Sequence, residues 1–315
     1  MLHLFSVLVA ASTLILILAG GFVTSTGSGL AVPDWPNTYG WFMFSFPLEK
    51  MVGGIFWEHG HRLIASTVGF LILVLAFWLW RAEPRRWVRR LGLVALAAVI
   101  AQGILGGITV LWFLPKPVSI AHAGLAQIVF CITVSIALVT SRGWQRGYTD
   151  LNGSSTVVDD RTLQRLALAT TMAVYVQILL GATMRHTGAG LAIPDFPLAF
   201  GALIPPQWDA RIGVHFAHRV GAAIVAVMVL ATAIRMVARA RGRRELMRPS
   251  MLLLVLLCVQ VTLGAFVVWS GKHFVINSVH VATGASILGT CVVLTLRAHR
   301  SRFGLAAAAQ ARVAA

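Results

Sequence analysis

An all-α membrane protein, with eight transmembrane helices arranged as two tandem pseudo-symmetric four-helix bundles, is the fold class that three observations predict for this chain of 315 residues. Hydrophobic residues make up 58% of it and charged residues 11%, whereas an ordinary soluble domain carries roughly a quarter charged residues. Eight apolar stretches come close to or exceed the roughly 20 residues needed to cross a hydrocarbon core. The chain also repeats itself. Gly27-Ser28-Gly29-Leu30-Ala31-Val32-Pro33-Asp34-Trp35-Pro36 recurs as Gly188-Ala189-Gly190-Leu191-Ala192-Ile193-Pro194-Asp195-Phe196-Pro197 at an offset of 161. Further on, His61-Arg62 answers to His218-Arg219, Gln102 and Gly106 to Gln260 and Gly264, and His122 to His280, at offsets of 157 to 158.

The first span, 4–24, has no basic region ahead of it and no clear small-residue cleavage site, so it is read as a retained helix rather than a removed signal peptide. Spans follow at 60–80, 91–112 and 119–140, completing an N-terminal bundle over 1–140. The stretch 141–164 is polar and unpatterned, with Asn152-Gly153-Ser154-Ser155 and Asp159-Asp160, and reads as a cytoplasmic linker. Spans at 165–184, 213–235, 250–270 and 276–297 form the C-terminal bundle over 165–297, and 298–315 is a cytoplasmic tail. Each copy holds an even number of spans, so both copies enter the membrane from the same side and the repeat is parallel.

The net charge of +16 brings nucleic acid to mind, but its placement argues against it. With both termini cytoplasmic, 19 of the 26 Lys and Arg fall in the inner segments 81–90, 141–165 and 235–248 and in the stretch from Arg297 onward. That is the positive-inside pattern of a multi-pass protein of the cell (inner) membrane, its arginines lying against anionic lipid. The cysteines Cys131, Cys258 and Cys291 all lie in predicted spans, so no disulfide framework or thiol motif is expected.

Two outer loops, 25–57 and 186–212, are long and rich in glycine, proline and aromatics, whereas 113–118 and 271–275 are short. Loops of that length usually have a function, and here they are expected to fold over the bundle ends as lids. For Asp34 and Asp195 two readings stand, a turn that caps the bundle and direct ligand contact. Trp35, Trp41, Trp57, Trp112, Trp208 and Trp269 gather at this level, as an interfacial aromatic belt would.

His61 and His122 stand at the starts of the second and fourth spans, and His218 and His280 at the starts of the sixth and eighth. All four spans run from outside to inside, which puts both pairs at similar depth near the outer face. An ionisable residue within a span is costly and is a functional candidate by default. Structural zinc wants four protein ligands and catalytic zinc three, but each bundle offers two histidines. Two axial imidazoles clamping a haem inside a four-helix bundle meets that ligand count. Arg62 and Arg219 read either as partners of haem propionates or as arginines reaching for the interface. Gln102 and Gln260 either bond between helices or ease close packing at Gly106 and Gly264.

The repeat breaks at one chemical position. One turn before His61 stands Glu58, and one turn before His218 stands His215. Residues at i and i+3 share a helix face, so the N-terminal bundle has a carboxylate where the other has an imidazole. One bundle is therefore expected to do chemistry and the other to hold a permanent cofactor.

Glu58-His59-Gly60-His61-Arg62, Gln102-Gly103-Ile104-Leu105-Gly106-Gly107, His122, Arg185-His186-Thr187-Gly188 with its Pro-Asp-aromatic-Pro loop, His218-Arg219 and His280 together resemble the haem A synthase family, over about residues 4–297. The resemblance implies oxidation of the C8 methyl group of haem O to a formyl group through a hydroxymethyl intermediate, for assembly of the terminal oxidase. It implies that His61 and His122 bind the substrate haem, that Glu58 assists the oxidation, and that His218 and His280 ligate a resident haem b that relays electrons. A haem O synthase is the implied supplier, and a homo-oligomer is a further expectation. Many bacterial members carry a cysteine pair in the outer loops, but Trp35-Pro36-Asn37-Thr38 and Phe196-Pro197-Leu198-Ala199 contain none, so a thiol relay is not expected. The main alternative is a bis-histidine b-type cytochrome that moves electrons without modifying haem. A transporter fits less well, because no broken helix pair marks a midplane site.

Overall fold

A computed structural model describes residues 1–146, 160–239 and 242–303. Among these residues are nine α-helices: α1 (Leu2–Ser25), α2 (Gly53–Ala82), α3 (Arg86–Leu111), α4 (Lys116–Val139), α5 (Arg142–Arg146), α6 (Arg161–His186), α7 (Ala210–Arg239), α8 (Arg244–Trp269) and α9 (Phe274–Ala298). All but α5 are long and apolar enough to cross a membrane. Their 24 to 30 residues extend roughly 36–45 Å at about 1.5 Å per residue. In lipid such segments have to be helical, because each backbone N–H and C=O must find its partner within the segment. The expected linker 141–164 is represented by α5 and by the start of α6; its residues 147–159, and residues 304–315 of the expected tail, lie outside the described residues.

The helices close into two rings. In one, α1 packs on α2, α2 on α3, α3 on α4 and α4 back on α1; in the other, α6, α7, α8 and α9 do the same in the same order. The rings meet where α1 lies against α9 and α4 lies against α6 and α9. Under the repeat, α1 corresponds to α6 and α4 to α9, so the contact of α1 with α9 is the counterpart of that of α4 with α6. The two halves are therefore related as by a two-fold axis along the bundles.

Close helix approach is carried by small residues, as packing in lipid requires. A Cβ on Gly92 would come 2.8 Å from Leu79 of α2, one on Gly289 would come 2.9 Å from Phe130 of α4, and one on Gly21 would come 3.3 Å from Ser278 of α9. Hydroxyl pairs also join helices, with Thr170 bonded to Thr232 and Thr171 to Thr295, each at 2.8 Å. Phe70, Phe77, Ile104, Val227, Ile234 and Val255 project outward and face lipid.

Inside each ring the apolar core sits toward the end where Ala82 and Arg239 lie. Val68, Ile72, Leu75, Leu79, Val129 and Ile136 cluster in the first ring, and Val229, Met236, Leu253, Leu288 and Leu294 in the second. That end also carries the ion pairs Arg85 with Glu83, Arg235 with Asp160, and Arg243 with Glu245. Asp160 caps α6 by accepting from Leu163 N–H, and its Arg235 partner holds its carboxyl below the usual carboxylate range. The opposite end of each ring is covered by a long loop, 26–52 or 187–209, and beneath it lie histidines and glycines in place of packed aliphatic side chains.

Candidate functional site

The four histidines lie deeper than their positions at the starts of spans suggested. α2 begins at Gly53 and α7 at Ala210, so His61 and His218 sit more than two turns into their helices, and His122 and His280 nearly two turns into α4 and α9. Each imidazole rests on a glycine of the preceding helix. A Cβ built on Gly20 would come 3.1 Å from Cε1 of His61, one on Gly106 3.2 Å from that of His122, one on Gly181 3.0 Å from that of His218, and one on Gly264 3.3 Å from that of His280. Four helix pairs thus repeat one device, a ring laid into the gap left by a missing side chain. His61 and His122 stand on α2 and α4 of one ring, and His218 and His280 on α7 and α9 of the other, so each bundle holds one pair.

Three of the four rings also meet a glutamine placed one turn before their glycine. Gln102 Nε2 donates to the carbonyl of His122 at 3.0 Å and lies 3.4 Å from its Nε2. Gln177 Nε2 donates to the carbonyl of His218 at 2.7 Å and lies 3.0 Å from its Nδ1. Gln260 Nε2 lies 3.3 Å from Nε2 of His280. The fourth place, on α1, is Leu16. Nδ1 of His61, His122 and His280 and Oε1 of Gln102, Gln177 and Gln260 are buried without a hydrogen-bond partner.

Unpaired buried polar atoms are costly, and these gather where a planar ligand with a central metal would satisfy them. Among the described residues no group of three metal-ligating side chains converges, so the donor set does not suit a bare ion. It does suit a haem, which brings four equatorial nitrogens of its own and asks the protein for axial ligands. An iron-bound imidazole needs an acceptor for its remaining N–H, and the amides of three glutamines stand beside the rings.

Glu58 is buried, 3% exposed, which rules out a solvated glutamate at the interface. Its Oε2 accepts from Val32 N–H at 2.8 Å and its Oε1 from Arg62 Nη2 at 2.7 Å. In the second copy Nδ1 of His215 accepts from Ile193 N–H at 3.2 Å, and Ile193 is the counterpart of Val32. Glu58 and His215 therefore perform the same local task, receiving one loop N–H, with a charge in one bundle and none in the other.

Arg62 and Arg219 turn their forks toward the loops rather than into the bundle interiors. Arg62 donates to the carbonyls of Val32, Asp34 and Asn37, and Arg219 to those of Ile193, Asp195 and Leu198. Of the two readings for Asp34 and Asp195, the turn is the one observed. Asp34 accepts from Tyr39 and Gly40 N–H, and Asp195 from Phe200 and Gly201 N–H, at 2.7 to 2.8 Å. Burial pushes the Asp34 carboxyl upward, but the Gly40 and Tyr39 N–H groups outweigh it and hold it below its ordinary value. Gly201 and Phe200 N–H do the same for Asp195. Gly40 and Gly201 have φ of +76° and +77°, a conformation that glycine adopts without a steric cost.

The first loop is held more firmly. Thr38 Oγ1 bonds Nδ1 of His59 at 2.9 Å, and Phe46 packs on the same ring; the second copy has Ala199 and Phe216 at the places of Thr38 and His59. Trp35 lies on α3 so closely that a Cβ on Gly107 would come 2.6 Å from it. The counterparts are the smaller Phe196 and Ala265, so each loop aromatic is matched to the helix beneath it.

Sequence reasoning missed Gly20, Gly181 and Gln177. The first two were available as another match at an offset of 161, hidden among 29 glycines, and Gln177 was obscured because its counterpart is Leu16. It named Arg185 within a motif but gave it no role; Arg185 crosses from α6 to α1, donating to the Gly21 carbonyl at 2.7 Å and to Ser25 Oγ at 2.5 Å, where the two rings meet.

A family model described as cytochrome oxidase assembly protein, COX15-CtaA, matches residues 3–292. A protein of Geobacillus kaustophilus named heme A synthase is 28% identical over 293 residues, covering 92% of this chain and 89% of its own length. One of Symbiobacterium thermophilum with the same name is 32% identical over 266 residues, covering 81% and 82%. Another, of Halalkalibacterium halodurans, is 26% identical over 292 residues, covering 92% and 94%.

Proposed function

Because the chain belongs to the COX15-CtaA family of cytochrome oxidase assembly proteins, we propose that it is a haem A synthase, oxidising the C8 methyl group of haem O to a formyl group through a hydroxymethyl intermediate. The product serves terminal oxidase assembly, and a haem O synthase is the proposed supplier of substrate. The observation that carries this reading is the fourfold arrangement of histidines on glycines, with a glutamine beside both histidines of the C-terminal bundle and beside only one of the N-terminal pair.

His61 and His122 are assigned to the substrate haem, and His218 and His280 to a resident haem b, which when bound supplies one-electron transfer. Glu58 is assigned the role at the reacting carbon. Both its oxygens are held, by Val32 N–H and by Arg62, so its charge is fixed in position before substrate arrives. That suits stabilising positive charge as it develops on the carbon. Arg62 serves the same end by anchoring both Glu58 and the loop above it. With the arginine-rich end in the cytoplasm, the loops and haem sites face the outer side of the cell membrane.

The test is pigment analysis after co-expression with a source of haem O. Wild type is expected to yield haem A or its hydroxymethyl precursor, and Glu58→Gln to keep haem b while forming neither. A b-type cytochrome that modifies no haem would instead retain two b haems per chain in both proteins. The changes from His215 to Glu58 and from Gln177 to Leu16 weigh against that alternative, since two permanent electron-transfer sites give no reason for them.

A further inference from the structure

The glutamines Gln102, Gln177 and Gln260 share a geometry that the oxidation itself does not call for. Each sits four residues before the glycine that cradles a histidine, each turns its amide to that histidine, and each has a buried amide oxygen without a donor. An imidazole that gives Nε2 to iron carries its proton on Nδ1. Nδ1 of His122 and of His280 is likewise buried and unpaired. At His218 the amide already faces Nδ1, so a half-turn of the amide brings Oε1 to it. At His122 and His280 the amide faces Nε2, so the ring turns over as well, and at His122 and His218 the turned amide gives up its bond to the histidine carbonyl.

His61 is the exception, and the space around it accounts for that. Gln177 runs across Gly221, one turn beyond His218, so closely that a Cβ on Gly221 would overlap the amide oxygen. The counterparts of Gln177 and Gly221 in the N-terminal bundle are Leu16 and Ile64, both packed on the apolar core of that bundle. An amide across a glycine has been exchanged for two aliphatic side chains. Nδ1 of His61 is buried with no partner, as are those of His122 and His280, but here Leu16 stands in the place of the glutamine.

We propose that Gln102, Gln177 and Gln260 are positioning residues that accept the Nδ1–H of an iron-bound histidine, and that His61, facing the Leu16 and Ile64 pair, is the releasable ligand through which the N-terminal bundle exchanges its haem. This rests on the reading of the four histidines as haem ligands, and it deepens that reading by distinguishing the ligands from one another. Losing such an outer partner typically lowers affinity about 10–100-fold, so three ligands are secured and one is not. A site that must accept a substrate and release a product needs one weak axial bond, whereas a resident cofactor needs none.

The experiment uses the full-length haem-loaded protein, with apomyoglobin as haem acceptor and potentiometry monitored in the visible spectrum. In wild type the N-terminal haem is expected to leave at least tenfold faster than the C-terminal one. Gln177→Leu is expected to speed loss of the C-terminal haem about 10–100-fold and to raise its potential, because the ligand becomes less electron-rich. Gln177→Glu, which keeps a stronger acceptor, is expected to shift the potential the opposite way, a sign reversal that a packing role would not produce. Leu16→Gln combined with Ile64→Gly is expected to slow release from the N-terminal bundle. Equal release rates in wild type, or potentials unmoved by both Gln177 variants, would overturn the proposal even if the double variant fails to fold. Wild type that binds no haem at all would instead overturn the reading on which it rests.

Discussion

The two bundles are built alike and furnished differently, and the differences gather on one side of the molecule. Both set two histidines on two glycines beneath a loop whose aspartate closes the same turn. The C-terminal bundle gives each of its histidines a glutamine; the N-terminal bundle gives one only to His122. Where the C-terminal bundle receives the loop N–H with a neutral imidazole, the N-terminal one uses a carboxylate paired with arginine. A duplicated scaffold can hold one site constant while the other changes, and here Glu58, Leu16 and the Thr38–His59 bond set apart the bundle proposed to handle substrate.

The sharpest way to break the comparison is to remove a ligand from each side. His280→Ala should abolish haem b binding and with it turnover, whereas His122→Ala should abolish haem A formation while the C-terminal pigment persists; spectra of the purified variants check both. Next in size is Glu58→Gln, expected to lower haem A formation at least a hundredfold, given that removing one preorganised electrostatic group typically costs about 10²–10³ in rate. If Glu58 only anchored the loop, Glu58→His would copy the C-terminal bundle and retain activity; loss of activity in that variant supports the charge as the essential feature.

The glycines offer a smaller effect. Gly181→Ala and Gly20→Ala each drive a methyl into an imidazole, an overpacking typically worth about 1–3 kcal/mol. The first should shift the haem b spectrum and lower thermal stability, and the second should leave that spectrum unchanged. The smallest effect is expected in the loops. The native Asp34 carboxyl is held below its ordinary value, so its contribution is present above the unfolded value and is lost as pH falls through the native one. Limited proteolysis of the 26–52 loop should therefore accelerate only in strongly acidic buffer, and Asp34→Asn should make the loop susceptible at neutral pH as well.

How much of this could be read from the residues follows from what each signal depends on. The spans depend on bulk hydropathy and the histidine pairs on identity at a fixed offset, so both were visible. The start of α2 was not, because Gly53, Gly54, Trp57, Glu58 and His59 dilute the apolar signal of a helix that already exists. Arg62 and Arg219 were recognised as important, but the carbonyls they hold come together only once the loop has folded. Gln177 was invisible for the opposite reason: a search for matches passes over a position where the copies differ, and the difference is the informative part.

The central claim is that one bundle keeps its haem and the other changes it. Mass analysis of the haems bound to wild type and to Glu58→Gln, each co-expressed with a haem O source, tests it most directly. The account predicts haem b in both, accompanied by haem A or hydroxymethyl haem in wild type and by unmodified haem O in the variant. Two unmodified haems per chain in wild type, or normal conversion by the variant, would contradict it.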